Sequence, residues 1–157
     1  IYANSQGDHS HQGMGTTLTL ALVFNDRLYI AHVGDSRAYL IRNNSIKLLT
    51  RDHSYVGELV RSGGITKEQA LEHPKRNVLM RAVGASPEVD IDLLEINLEN
   101  NDILLLCTDG LTNHITEEEI LKSILINKDL KAALDSMIDS AYNKGANDNV
   151  TVLLTQY

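Results

Sequence analysis

"TTLTLALVFNDRLYIAHVGDSRAYLIRNNSIKLLT" (16–50) decides the fold. β-branched and apolar residues fill 16–24, and Asn25-Asp26 is a turn signal. A second strand reads over 27–33, "GDSR" breaks the pattern, and "AYLIR" resumes it at 38–42. Asn43-Asn44 marks another turn before "SIKLLT" at 45–50. Four short strands joined by tight turns predict an antiparallel meander. Tyr29, Ala31 and Val33 fall on one face, with Leu28 and Ile30 on the other. A sheet apolar on both faces is expected to be covered on both.

Downstream the period changes. Over 54–64, Val56, Leu59 and Val60 stand at helical spacing, and Gly63 or Gly64 can take the left-handed closing position. Thr66 with Gln69 has the spacing of a capping box, and that second helix stops before Pro74. These two short helices hold few large apolar residues and read as a small insertion beside the sheet. Strands are then predicted at 77–84, 91–98 and 102–108. Thr116 with Glu119 opens a helix of about ten residues, an ordinary length. Over 129–145, Leu130, Ala133, Leu134, Met137, Ile138 and Ala141 form one apolar stripe, closed by Gly145. The segment 148–157 is a final strand, and 1–13 reads as a polar loop. The class is α+β: antiparallel strands with helices packed outside.

The 157 residues suit one domain with a real core, 43% of them apolar and 22% charged. With one Phe, six Tyr and no Trp, that core rests on Leu, Ile, Val and Ala. A formal charge of −7 with no basic block argues against nucleic-acid binding, which needs clustered Lys and Arg. The single cysteine, Cys107, excludes an internal disulfide framework and favours a reducing compartment, so a cytoplasmic protein is expected. No apolar run is long enough to span a bilayer, and no signal peptide is visible. The chain starts at Ile1 rather than Met, so a preceding segment is expected.

Three aspartates share one context. Asp35 follows "AHVG", Asp109 follows "LLLCT", and Asp148 precedes "NVTVLL". Each stands at the end of an apolar strand. Read alone, each has a plain structural role: Asp109 as a turn, Asp35 as a partner of Arg37 or of backbone N–H groups, Asp148 as a cap. If the strand ends converge, however, three carboxylates repel and do not all ionise unaided. A hard divalent cation resolves the conflict, with Mg²⁺ or Mn²⁺ the natural choice for oxygen ligands.

The motifs "GMGTT" (13–17), "HVGDSRAYLI" (32–41), "LTRDHS" (49–54), "LLLCTDGL" (104–111) and "GANDNVTVLL" (145–154) occur in that order. Together they resemble the type 2C metal-dependent protein serine/threonine phosphatases, above all the compact bacterial branch. The resemblance covers nearly the whole chain. It implies a four-layer α-β-β-α sandwich of two antiparallel sheets flanked by helices, treated as one domain over 1–157. It also implies that residues 55–77 are the flap subdomain beside the substrate entrance. By motif, Asp109 and Asp148 correspond to ligands of a dinuclear Mn²⁺ or Mg²⁺ centre, and Asp35 to a ligand of a third, weaker ion. Asn113 stands where some relatives offer a further acidic ligand to that ion.

One departure is large. The family begins with an acidic stretch holding a phosphate-binding arginine, followed by an Asp-Gly motif whose aspartate bridges the two metals. Here the only early aspartate is Asp8, in "GDHS". "ANSQGDHSHQGMGTT" (3–17) instead resembles the segment after the family's first long helices, so the chain reads as the C-terminal two-thirds of such a domain.

The resemblance implies hydrolysis of phosphoserine and phosphothreonine in proteins, a serine/threonine kinase among the substrates, and a monomer. Two metals roughly 3.5–4 Å apart lower the pKa of a bridging water, and the resulting hydroxide attacks phosphorus in line. Cys107 is then no nucleophile, since it lies in an apolar strand without a glycine-and-arginine phosphate loop. A core hydrogen-bonding role is expected for His32, and an orienting role at the junction of sheet and flap for His53. His9, His11, His73 and His114 read as loop, surface or helix-boundary residues. Arg51 and Arg81 are candidates to approach the phosphoprotein. The alternative is a phosphatase-like module that binds phosphoproteins or regulates without hydrolysing them.

Overall fold

The computed structural model describes residues 1–7, 9–127 and 129–157. Asp8, Lys128 and the side chain of His9 lie outside that description. The chain divides into two compact units: Ile1–Ser36 with Arg51–Ile96, and Arg37–Thr50 with Asn97–Tyr157.

In the first unit, α1 (Tyr2–Gly7) and a 3-10 turn (His9–His11) occupy the segment expected to be a loop. Strands β1 (Leu18–Phe24), β2 (Arg27–Val33) and β5 (Asp92–Asn97) form a sheet in the order β1-β2-β5. β1 and β2 pair antiparallel from Leu18 opposite Val33 to Phe24 opposite Arg27. Asn25 and Asp26 turn the hairpin at φ 47° and 59°, the left-handed pair that a two-residue turn needs to match strand twist. The insertion carries α2 (Tyr55–Arg61) and α3 (Lys67–Glu72). Both halves of the Thr66–Gln69 capping box are present, with bonds of 2.9 and 3.2 Å.

Two further sequence expectations fail in this unit. Residues 77–84 form no strand, only the isolated bridges Ser54–Leu79 and Thr16–Val83. The N–H groups of Met80 and Arg81 both turn to the one carbonyl of His53, at 2.7 and 3.3 Å, so no ladder propagates. The sheet is also not covered on both faces: Leu18, Leu20, Leu22 and Phe24 all stand exposed.

The second unit holds β3 (Arg37–Arg42), β4 (Ser45–Leu48), β6 (Ile103–Cys107) and β7 (Val152–Gln156), in the order β4-β3-β6-β7. The expected meander is therefore cut at "GDSR". β1 and β2 stay in one sheet while β3 and β4 join another, because Gly34, at φ +117°, ends the β2 ladder. β6 is central, pairing antiparallel with β3 from Arg37 opposite Cys107 and with β7 from Ile103 opposite Gln156. Its unbroken "ILLLC" suits a strand buried on both faces, as the successive buried residues Leu104 and Leu105 show.

Helices α4 (Asp109–Thr112), α5 (Glu117–Ile126) and α6 (Leu130–Asn143) complete this unit. The Thr116–Glu119 capping box opens α5 as expected. Asp129 caps α6 by accepting the Ala132 N–H at 2.8 Å, and the expected stripe buries Ala133, Met137 and Ala141. Tyr39, Ile41, Leu105, Cys107, Leu111, Ile115, Ile120, Met137 and Ala141 make one continuous core. At its edge Arg42 grips the buried Asp102 with two bonds of 2.8 and 2.5 Å. Among the described residues no helix is long and apolar enough to cross a membrane.

Candidate metal centre

The apolar run of β6 leads into Thr108, which stands at the N-terminal boundary of α4 without a side-chain capping bond, and Asp109 is the first residue of that helix. Thr108 also ties the run to the segment before β7. Its N–H donates to Thr151 O at 3.1 Å. Its hydroxyl donates to Asn149 O at 3.2 Å and accepts the Thr151 N–H at 3.0 Å. Gly110 lies so close that a Cβ there would meet Asn149 O at 2.5 Å. Only glycine permits that approach. Asp109 and Asp148 are thus carried on two segments in direct backbone contact.

Asp109 is half-buried and accepts a bond from the Asn113 amide at 3.2 Å, while the exposed Asp148 accepts its neighbour's N–H, Asn149, at 2.7 Å. Asn113, one helical turn from Asp109, is therefore engaged with that carboxylate. These donors are all oxygen and suit Mg²⁺ or Mn²⁺ rather than a soft metal. Among the described residues, no group of three or more His, Cys, Asp or Glu side chains is placed to hold a metal ion by itself. Asp8, the only aspartate near the start, lies outside the described residues.

Asp35 belongs to the first unit, half-buried on the turn after β2. The turn is clamped from one side by Thr17. A Cβ on Gly34 would meet Thr17 Cγ2 at 2.4 Å, and the Thr17 hydroxyl bonds Ser36 Oγ at 3.0 Å. His53, buried at 5% exposure, also holds it. Its Nδ1 accepts the Gly34 N–H at 3.1 Å, and its own N–H donates to Gly34 O at 2.8 Å.

The far side of the His53 ring meets a pair that sequence reading missed. Nε2 stands 3.2 Å from Asp92 Oδ2, while Asp92 Oδ1 accepts from Arg81 Nη1 at 2.8 Å. Burial raises the Asp92 pKa, but hydrogen bonds from His53 and Arg81 outweigh it and hold the carboxyl below its usual range. Arg81, a candidate for substrate contact, is thus ion-paired within its own unit. Nothing local in "IDLLEINL" marks Asp92, since its partners lie 11 and 39 residues away (Arg81 and His53).

The remaining groups follow expectation more closely. His32 is buried at 1% exposure. Its Nδ1 lies 2.9 Å from the Thr19 hydroxyl and its Nε2 3.0 Å from Arg51 O. Burial lowers its pKa and favours the neutral ring. Cys107 is buried in the middle of its sheet, as a packing residue would be. His73 Nδ1 accepts the Lys75 N–H at 3.0 Å at the end of α3.

Comparison with known proteins follows the same lines. The family model for protein phosphatase 2C matches residues 2–58, and that for stage II sporulation protein E matches residues 59–157. The serine/threonine phosphatase stp of Listeria welshimeri is 44% identical over 99% of this chain and 61% of its own length. The crystal structure of serine/threonine phosphatase Stp1 from Staphylococcus aureus superposes with a TM-score of 0.94 at 38% identity, over 99% of this chain and 61% of that one. The catalytic domain of the phosphatase PstP, in complex with two manganese ions, superposes at a TM-score of 0.87 and 35% identity, over 98% of this chain and 63% of that one. The chain thus spans about three-fifths of the curated relatives it matches. Its α+β fold of two antiparallel sheets with flanking helices is that of the bacterial phosphatases, and the chain belongs to the protein phosphatase 2C family.

Proposed function

We propose that the protein hydrolyses phosphoserine and phosphothreonine in other proteins, a serine/threonine kinase among them, using divalent Mn²⁺ or Mg²⁺. The observation that carries this reading is the backbone lock between Thr108–Gly110 and Asn149–Thr151. It holds Asp109 and Asp148 on adjoining segments, where like charges gain from a shared cation. Asp109 and Asp148 hold the dinuclear pair, and Asp35 a third, weaker ion. When bound, the ions supply an activated water and offset charge on the phosphoryl oxygens. The chain's own part is to orient: Asn113 fixes one oxygen of Asp109, and Thr108 fixes the strand end beneath it. The insertion over 55–77 acts as the flap, and the protein works as a cytoplasmic monomer.

A second reading, a module that binds phosphoproteins without turnover, draws on the lack of a three-ligand cage among the described residues. Metal titration of the protein at its full natural length separates the two. Hydrolysis of p-nitrophenyl phosphate or a phosphothreonine peptide should rise with Mn²⁺ or Mg²⁺. Asp109→Asn or Asp148→Asn should lower it by about 100-fold or more, at or beyond the upper range for losing an outer-shell partner. Asp35→Asn should shift the curve to higher metal concentration. Near-normal turnover in either of the first two variants overturns their assignment. Binding without turnover in the unmodified protein establishes the second reading.

A further inference from the structure

We propose that His53 is a positioning residue whose ring ties the Gly34–Asp35 turn to the root of the 55–77 insertion. The inference rests on the reading of Asp35 as a metal ligand. Gly34 uses both its backbone groups on this one residue, at 3.1 Å to Nδ1 and 2.8 Å from the His53 N–H. Because Thr17 fills the space a Cβ would need on Gly34, the turn is held between Thr17 and His53.

The backbone around His53 meanwhile anchors both ends of the insertion. His53 O accepts from Met80 and Arg81, Ser54 bridges Leu79, and the Tyr55 N–H donates to Val78 O at 2.8 Å. A neutral imidazole that accepts at Nδ1 carries its proton at Nε2. That N–H points to Asp92, 3.2 Å away, whose other oxygen is taken by Arg81. Arg81 Nη1 also lies 3.3 Å from Nε2, but with Nδ1 taken as acceptor by Gly34 the ring is read in one tautomer, with an acceptor toward the Asp35 turn and a donor toward the Asp92 carboxylate. Displacement of the insertion's return segment reaches Asp35 through this ring. A histidine that served only to fill space would not need its two nitrogens assigned in this way.

The two nitrogens can be tested separately. His53→Asn keeps an acceptor near the Nδ1 position and loses the reach to Asp92. His53→Gln keeps a donor near Nε2 and loses the acceptor for Gly34. The first measurement is hydrogen exchange at the Gly34 amide, with no metal present. It should accelerate about fivefold or more in His53→Gln, the loss of one buried hydrogen bond, and stay near the unmodified rate in His53→Asn. The second is the Mn²⁺ titration of turnover, whose Asp35-dependent part should move to about tenfold higher metal in His53→Gln and remain in place in His53→Asn.

Nitrogen chemical shifts of the His53 ring in the unmodified protein provide a reading that needs no variant. An unprotonated Nδ1 and protonated Nε2 support the proposal, and the opposite tautomer overturns it. Equal exchange at Gly34 in the two variants also overturns it. If the unmodified protein shows no metal-dependent turnover, the phosphatase reading fails instead, and the exchange comparison still decides whether His53 locks the turn.

Discussion

The two sheets are built from similar strands and end in different states. In the second unit, β6 sits between β3 and β7, with α4, α5 and α6 supplying side chains to its core, and Leu105 is fully buried. In the first, β1 carries Leu18, Leu20, Leu22 and Phe24 on one face, with Leu20 still 55% exposed. Leu93 on β5 is more exposed again. The difference lies in what covers the strands, not in their composition. An apolar strand becomes core only when another element is laid on it. The bacterial relatives are longer than this chain, which spans 61% of the Listeria phosphatase.

The comparison breaks most readily at the cores. Leu105→Ala or Met137→Ala removes a fully buried side chain and should cost about 2–5 kcal/mol. Leu20→Ala should change stability by about 0.5 kcal/mol or less, as exposed substitutions do. Urea unfolding of the three variants gives the numbers. A Leu20→Ala cost equal to that of Leu105→Ala would mean the three-stranded sheet is as buried as the four-stranded one, and the contrast would dissolve.

What the sequence revealed was local chemistry. Asn25-Asp26 and Asn43-Asn44 announce hairpins because few other residues accept two successive positive φ values. The pairs Thr66–Gln69 and Thr116–Glu119 announce helix starts because their side chains reach only their own first turn. Which sheet a strand joins is a long-range matter. Nothing in "GDSR" says that β3 leaves β2, and nothing in "NVLMRAVG" says that one carbonyl, of His53, will take two of its N–H groups. The site divides likewise. Asp109 and Asp148 are visible as strand-end carboxylates, while the part played by Thr108 and Gly110 in joining their segments emerges only from the backbone approach. The polar start reads as a loop although Tyr2–Gly7 is helical, since six residues without an apolar stripe leave no periodic signal.

Ion pairs sharpen the contrast at a smaller scale. Arg42 and Asp102 meet with the carboxylate 2% exposed, whereas Arg27 and Glu95, across β2 and β5, meet in solvent. Arg42→Ala leaves a buried carboxylate without its partner and should cost about 3–5 kcal/mol. Arg27→Ala should cost far less, since a solvent-exposed pair is screened and gains little. The hydrogen bond from Arg42 holds the Asp102 pKa below its ordinary value. A carboxyl lowered in the folded state stabilises above its unfolded pKa, about 3.9, and that contribution is lost as pH falls through the lower folded value. Arg42→Ala should therefore move the acid unfolding midpoint upward, and Arg27→Ala should leave it nearly unchanged. Equal shifts in the two variants would show that Asp102 gains nothing from its burial.

A small effect on stability is expected where the visible effect on the surface is largest. Leu20→Ser with Leu22→Ser alters two side chains that face away from the buried side of β2, where Leu28 and Ile30 lie. Each loses little apolar burial, so the pair should shift urea stability by about 1 kcal/mol or less. A contiguous exposed apolar face is also a binding surface for apolar dyes. In this chain, the fluorescence of an anilinonaphthalene dye should be high with the natural residues and fall in the double variant, while the same change at Leu153 on β7 should leave most of it. Should the dye signal be low and independent of Leu20 and Leu22, the face is covered in solution, and light scattering across a dilution series then tells whether copies of the chain cover one another.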